Sequence, residues 1–462
     1  MTPEPACPPQ PAPWIPDRWS WIGRLPGVGP TLLRVRDRVL ASPLLTGPRR
    51  AALASRIYMA ASLIIRMVVN LGVLVLIARG LGPTEFGFIS TVFAYAGFAG
   101  LVTDFGFSVK TLRDIGAEPH RGASLLAASL SVKSLLTIPV VLAGLAAIAI
   151  LPLPNASRIA GAMLGAGVLI GSIGELALVG YRSLNRFADE TRLVLWTSVI
   201  YAAVIGVIML SHGGVVMIGL GFLATRIGFA LAAIHGARKL FPGQPITMSG
   251  GRQILASLRG SVTWAVDNGI NYLNAQIDSL VVVAVLGLTA AGIYQAGGRF
   301  VLAALAMGAV LTNVHIPALS AEAGSVRMSP RERRMILEFL GVGGLFALFF
   351  VVCGPLLTHF LLGDKFAAVN VLWPGFGAFL IARYLAAAFG AALAAQGRPA
   401  LRIAGQVAGI VTISVGFWLT LPRFGLLAAP WIMALGGVAT TAIYAWGRLS
   451  PGFNRQVDDP EI

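Results

Sequence analysis

Asp267, Asn271, Asn274 and Asp278 fall within one apolar run, "GSVTWAVDNGINYLNAQIDSLVVVAVLG". Their spacing of four, seven and eleven residues puts all four on one face of a helix. A face of two acids and two amides does not point at hydrocarbon. It lines a hydrated cavity or a polar seam, and the cavity is favoured because a dry seam would need a partner for every group. Carboxylates in that setting can hold a proton or a sodium ion, so Asp267 and Asp278 are candidate coupling-ion sites.

The first long apolar run carries a smaller copy of this pattern, with Ser62, Arg66 and Asn70 four residues apart. Another run has Gln295 and Arg299 one turn apart. A guanidinium keeps its charge when desolvated and offers a planar fork that fits a phosphate. Arg66 is therefore the first candidate for an anionic ligand and Arg299 the second, with Asn70, Asn271, Asn274 and Gln295 as polar co-ligands. Arg299 has a structural alternative, an ion pair with Asp278, since the two lie at similar depth about the glycine turn between them. Lys133, Arg226 and Arg383 are further candidate cavity charges. Arg383 is followed by Tyr384, which suits a packed, paired arginine. Glu175 lies close to Arg182, which suggests a structural pair, and it is also a candidate coupling-ion site.

Such residues need apolar elements to hold them. The chain has 462 residues, 56% hydrophobic and 12% charged, whereas soluble domains carry about 25% charged residues. Twelve apolar runs follow one another from 57–78 to 425–447, each near the ~20 residues that cross a bilayer as a helix. Barrel-type alternation is absent. The expected fold is an all-α integral membrane protein of about 12 spans in two six-helix lobes around a central cavity. The expected division is a Pro-rich, basic tail over 1–56, lobes over 57–236 and 260–447, a basic linker over 237–259 and a tail over 448–462. Within the first tail, residues 32–40 have helical spacing suited to a lipid surface.

The net charge of +16 does not require nucleic acid. Only Arg79, Arg158, Lys365 and Arg423 fall on one side of the twelve-span topology. Apart from the five basic residues inside spans, the rest of the 35 Lys and Arg fall on the other side, with both termini. Retention of positive charge makes that side cytoplasmic. The five histidines are scattered and the two cysteines, Cys7 and Cys353, form no motif. Neither a metal site nor a cofactor is expected.

The turn "LGPTEFG" at 81–87 returns as "LGLTAAG" at 286–292, an offset of 205 residues. Both copies join the first two spans of their half. Gly82 and Gly87 permit tight backbone geometry, Pro83 suits a helix start, and Thr84 is a candidate cap. An axis along the membrane normal would relate two such halves, with a substrate site between them.

"ARGLGPTEFGFIS" resembles the first hairpin of the Wzx-type polysaccharide flippases, the O-antigen and exopolysaccharide exporters. Their superfamily also holds the lipid II flippase and the multidrug and toxin extrusion antiporters. "TDFGFSVKTLRDI", "LLGDKFAAVNVLWPGF", "AAQGRPALRIAGQVAGI" and "LPRFGLLAAPWI" extend the resemblance in order over residues 57–448. It implies export of a polyprenyl-diphosphate-linked oligosaccharide across a bacterial inner membrane by alternating access, without catalysis. Its implied partners are the lipid-linked oligosaccharide, membrane lipids, and the polymerase and glycosyltransferases of the same biosynthesis. The alternatives are a cation-coupled drug or small-molecule antiporter and a membrane enzyme acting on polyprenyl-linked glycans. The second hairpin lacks the Pro, the acid and the Phe of the first.

Overall fold

The computed structural model describes residues 47–241, 262–320, 328–396 and 398–449. The tail helix expected at 32–40, most of the 237–259 linker and the end of the C-terminal tail lie outside them. The chain separates into two compact units, Met1–Ala61 and Ser62–Ile462. The first contributes the described start of α1 (Gly47–Leu81), and the remaining elements belong to the second.

Among the described residues the regular structure is helical, with no strand. After α1 come α2 (Pro83–Asp104), α3 (Phe107–Ala117), α4 (Gly122–Ile150), α5 (Asn155–Ser183), α6 (Phe187–Leu210) and α7 (Val215–Leu240). The second half has α8 (Val262–Ser320), α9 (Pro330–Leu357), α10 (Trp373–Ala395), α11 (Pro399–Phe424) and α12 (Ala428–Leu449). Ten stretches among the described residues are long and apolar enough to cross a membrane. Three of them are broken by a glycine with positive φ, Gly106 in Pro83–Ala117, Gly287 in Gln276–Gly308 and Gly425 in Ala400–Arg448. The chain is thus an all-helical, multi-pass membrane protein. In water its many exposed Leu, Val, Phe and Trp side chains would be costly; in a bilayer they face lipid.

The turns follow from local chemistry. Gly82 adopts φ 93°, ψ 178° and Gly287 adopts φ 79°, ψ −177°, a region reserved for glycine. The Gly82 amide closes α1 on the Ala78 carbonyl and the Gly82 carbonyl opens α2 to the Phe86 amide, so one residue serves two helices. Pro83 begins α2 and Glu85 lies in its first turn. Thr84 does not cap α2; its hydroxyl is used elsewhere, as described below. Helix α9 starts with Ser329 accepting from the Glu332 amide at 3.2 Å and with Pro330 in the first turn. Pro139 lies inside α4. Pro374 starts α10 instead of kinking it, because a 3-10 segment, Asp364–Leu372, precedes that helix.

Small residues set the helix packing. In α5, Gly167, Gly171 and Gly174 leave room for Phe222, Arg226 and Phe229 on successive turns of α7. A large apolar cluster runs through residues of both halves, from Val73 and Phe86 to Phe376 and Phe417. A second gathers Phe107, Leu126, Leu176 and Phe229 in the first half.

Candidate transport site

Helices α8, α10, α11 and α12 enclose a cavity of about 390 Å³. Asp278, Tyr294, Gln295 and Arg299 line it from α8, Arg383 from α10, Arg402 and Gln406 from α11, and Tyr444 from α12. Asp278 precedes the Gly287 turn and Tyr294 follows it, and the Tyr294 hydroxyl donates to Asp278 Oδ2 at 2.7 Å. Ser279 donates to Oδ1 at a long 3.4 Å. No ion pair joins Asp278 to Arg299: the expected partner is replaced by a phenol that the periodicity of the first arm could not reveal. The Nε of Arg299 is buried without a hydrogen-bond partner among the described residues. A desolvated charge with an unused donor is costly unless a ligand meets it.

Asp267, Asn271 and Asn274 lie on α8 by sequence, but their side chains fall outside the described residues.

In the first half a smaller cavity of about 60 Å³ is lined by Arg66, Asn70, Glu175, Tyr201 and Arg226, with Thr and Ser hydroxyls between them. Arg66 hydrogen-bonds Glu175 and lies 3.7 Å from Glu190. Arg182 holds Glu190 at 2.8 Å and approaches Glu175 at 3.9 Å. Two arginines and two glutamates thus form a closed ring of alternating charge across α1, α5 and α6. The expected Arg182–Glu175 pairing is one side of that ring, and Glu190 is the member that sequence reasoning missed. The Arg226 guanidinium lies 4.9 Å from the ring centroids of both Tyr201 and Phe222, which meet each other edge-on, so it makes a cation–π contact with each. Lys133 is 2% exposed and bonds Asp104 at 2.6 Å, so its charge is matched within the fold.

The candidates therefore separate by surroundings. Arg66, Lys133 and Glu175 are paired with opposite charges of the protein, although the Arg66 Nη2, like the Arg299 Nε, is buried without a hydrogen-bond partner among the described residues, and Arg226 lies against two rings. Arg299, Arg383, Gln295 and Asp278 share one cavity.

A family model described as "Polysaccharide biosynthesis protein" matches residues 52–322. The chain belongs to the polysaccharide biosynthesis protein family. No curated protein matches its sequence. Solved structures similar to this family member are transporters of the MOP superfamily. An inward-facing multidrug resistance MATE family transporter superposes with a TM-score of 0.68 at 16% identity, covering 88% of this chain and 100% of the other. The lipid II flippase MurJ, in an inward closed conformation, gives 0.65 at 12% identity, covering 85% and 87%. A MOP superfamily transporter from Pyrococcus furiosus, described as having a binding pocket of reverse polarity, gives 0.61 at 15% identity, covering 87% and 95%. These likenesses establish a MATE- and MurJ-like transporter fold for the polysaccharide biosynthesis family member.

Proposed function

We propose that this protein is a flippase that carries a polyprenyl-diphosphate-linked oligosaccharide from the cytoplasmic to the periplasmic leaflet. The observation that carries the reading is a cavity with three arginines, Arg299, Arg383 and Arg402, and, among the described lining residues, a single acid, Asp278, already engaged by Tyr294. An anionic head group supplies the missing acceptor for the Arg299 Nε. The lipid tail stays in the bilayer while the head crosses by alternating access of two six-helix lobes, 57–236 and 260–447. The ten apolar stretches come to twelve spans when the arms on either side of Gly287 and Gly425 are counted separately and the arm after Gly106, the 11-residue Phe107–Ala117, is too short to count. The charge asymmetry supports both termini in the cytoplasm and a bacterial inner-membrane location. Glycosyltransferases supply the cargo, a polymerase consumes it, and the transporter itself does no chemistry on it. Asp278 is the best-placed group for a coupling ion, since Glu175 is held in the ring with Arg66.

The test is surface glycan in a complemented deletion strain, normalised to membrane-inserted protein. Arg299→Gln is expected to lower export at least about tenfold, the loss of roughly 1.4 kcal/mol or more of head-group binding. Arg299→Lys should retain part of it, because the charge survives without the fork. Full export per molecule with Arg299→Gln, or extrusion of cationic drugs without any glycan export, would replace the flippase reading with the antiporter one.

A further inference from the structure

The repeated turn motif meets itself. Thr84 and Thr289, 205 residues apart, hydrogen-bond through their hydroxyls at 2.9 Å. A Cβ on Gly87 would lie 1.9 Å from the Leu288 carbonyl oxygen and 2.9 Å from the Gly292 amide nitrogen. A Cβ on Gly292 would lie 1.9 Å from the Pro83 carbonyl oxygen and 2.9 Å from the Gly87 amide nitrogen. The two sets of contacts are reciprocal: the 205-residue offset that takes Gly87 to Gly292 and Pro83 to Leu288 turns one set into the other. The turn glycines behind them, Gly82 and Gly287, share one backbone conformation. A pseudo-two-fold axis therefore passes between Thr84 and Thr289 and between Gly87 and Gly292.

The contact begins a longer seam. Along α2, Thr84, Gly87, Thr91, Ala94, Phe98 and Leu101 recur at steps of three and four, a helix-packing stripe. Further along the stripe, the Tyr272 hydroxyl donates to the Ala94 carbonyl at 3.3 Å and its ring meets Phe98 edge-on. Leu101 reaches Gly269. Two contacts flank the turn end: Phe86 packs edge-on against Phe366, and Arg79 donates to the Phe360 carbonyl at 2.9 Å.

We propose that Thr84, Gly87, Thr289 and Gly292 form the latch of the extracytoplasmic mouth, closed in this structure and parted once in each transport cycle. The role rests on the flippase topology above, and the geometry does not. The latch is built to separate. It contains no charge, so parting it exposes no unpaired ion, and its backbone approaches are of the weak Cα–H···O kind. Ion pairs instead hold helices together inside each half: Arg66 and Arg182 with Glu175 and Glu190 in the first, and Arg448 with Glu332 in the second. Glycine is required at 87 and 292 because the clashing atoms are backbone and no side-chain rotation relieves them.

The experiment joins the two threonines. Thr84→Cys with Thr289→Cys is made in a background carrying Cys7→Ser and Cys353→Ser. Mild oxidation is expected to form the disulfide, because the two hydroxyl oxygens already touch. Export should stop on oxidation and return with dithiothreitol. Failure to cross-link would overturn the geometry, and full export by the cross-linked protein would overturn the gating role. A cargo-independent readout separates this from the flippase reading. Thr91→Cys, alone in the cysteine-free background, is labelled in intact cells with a membrane-impermeant maleimide. Adding Gly87→Ala should raise that labelling about tenfold by disfavouring the closed state, with membrane-inserted protein measured in parallel. Unchanged labelling in inserted Gly87→Ala protein would show that the latch does not close the mouth, whatever the cargo is.

Discussion

Tyr294 donates its hydroxyl hydrogen bond to Asp278 over 2.7 Å, tying together the two arms of α8 on either side of the Gly287 turn. The bond fixes the carboxylate in the cavity wall, and the Arg299 Nε has no acceptor among the described residues. Tyr294→Phe removes the donor and should lower stability by about 1.5–3 kcal/mol, the range for hydrogen bonds to charged groups. A double-mutant cycle in detergent-solubilised protein should give a larger coupling for Asp278→Asn with Tyr294→Phe than for Asp278→Asn with Arg299→Gln. The opposite order would restore Arg299 as the partner of Asp278.

The four-membered charge ring makes a graded prediction. Glu190 is 5% exposed and faces both arginines, whereas Glu175 is 40% exposed. Glu190→Gln should cost on the order of 3 kcal/mol, as expected when one partner of a buried pair is removed. Glu175→Gln should cost clearly less, because solvent screens its share. Thermal unfolding of the two variants measures this directly, and equal losses would mean that exposure does not set the order.

Arg66 discriminates between two roles. As a ring member, Arg66→Ala should reduce the amount of folded protein in the membrane. As a head-group ligand, it should reduce export at unchanged protein level. The contacts to Glu175 and Glu190 favour the first outcome. Quantifying inserted protein beside surface glycan reads both, and normal protein with lost export would return Arg66 to the substrate path.

At the start of α9, Glu332 receives two bonds of 2.7 Å from the Nε and Nη2 of Arg448, and both side chains are buried. The bidentate fit is specific to a guanidinium. Arg448→Lys should therefore destabilise the second half by about 1–3 kcal/mol although the charge is kept. An unfolding midpoint within error of the parent would refute the assignment.

Topology has an independent check. A cysteine at Ser211, exposed at the end of α6, should react with an impermeant thiol reagent from outside intact cells. One at Asn185, exposed between α5 and α6, should not. Labelling in the reverse pattern would invert the orientation drawn from the charges.

Much of the fold was legible because its signals are local. Apolar run length gave the helices, and the glycines and proline at 82, 83 and 87 gave the first turn. The 205-residue echo pointed to a related pair of hairpins, though not to their touching. The site was less legible. Arg66, Glu175, Asp278 and Arg299 announce themselves as ionisable residues among apolar ones, but their partners lie on other helices. Glu190 was hidden at the start of α6, among residues assigned to a connection. Tyr294 looked like an ordinary aromatic. Arg402 and Gln406 face the cavity from a helix whose sequence marks no polar stripe. Helix rotation and tilt decide these pairings, and hydrophobic periodicity specifies neither closely enough.

Thr84 meets Thr289 for the reason that any residue on a two-fold axis meets its own copy. The contact has the form of an isologous interface between two identical subunits, each offering one threonine and one glycine to its twin. Arg66 in one half answers to Asn271 in the other, while Thr and Gly at the axis are the same in both halves. A substitution on the axis must be tolerated by its own counterpart, so the two copies of that patch constrain each other, and the charges farther away are under no such constraint.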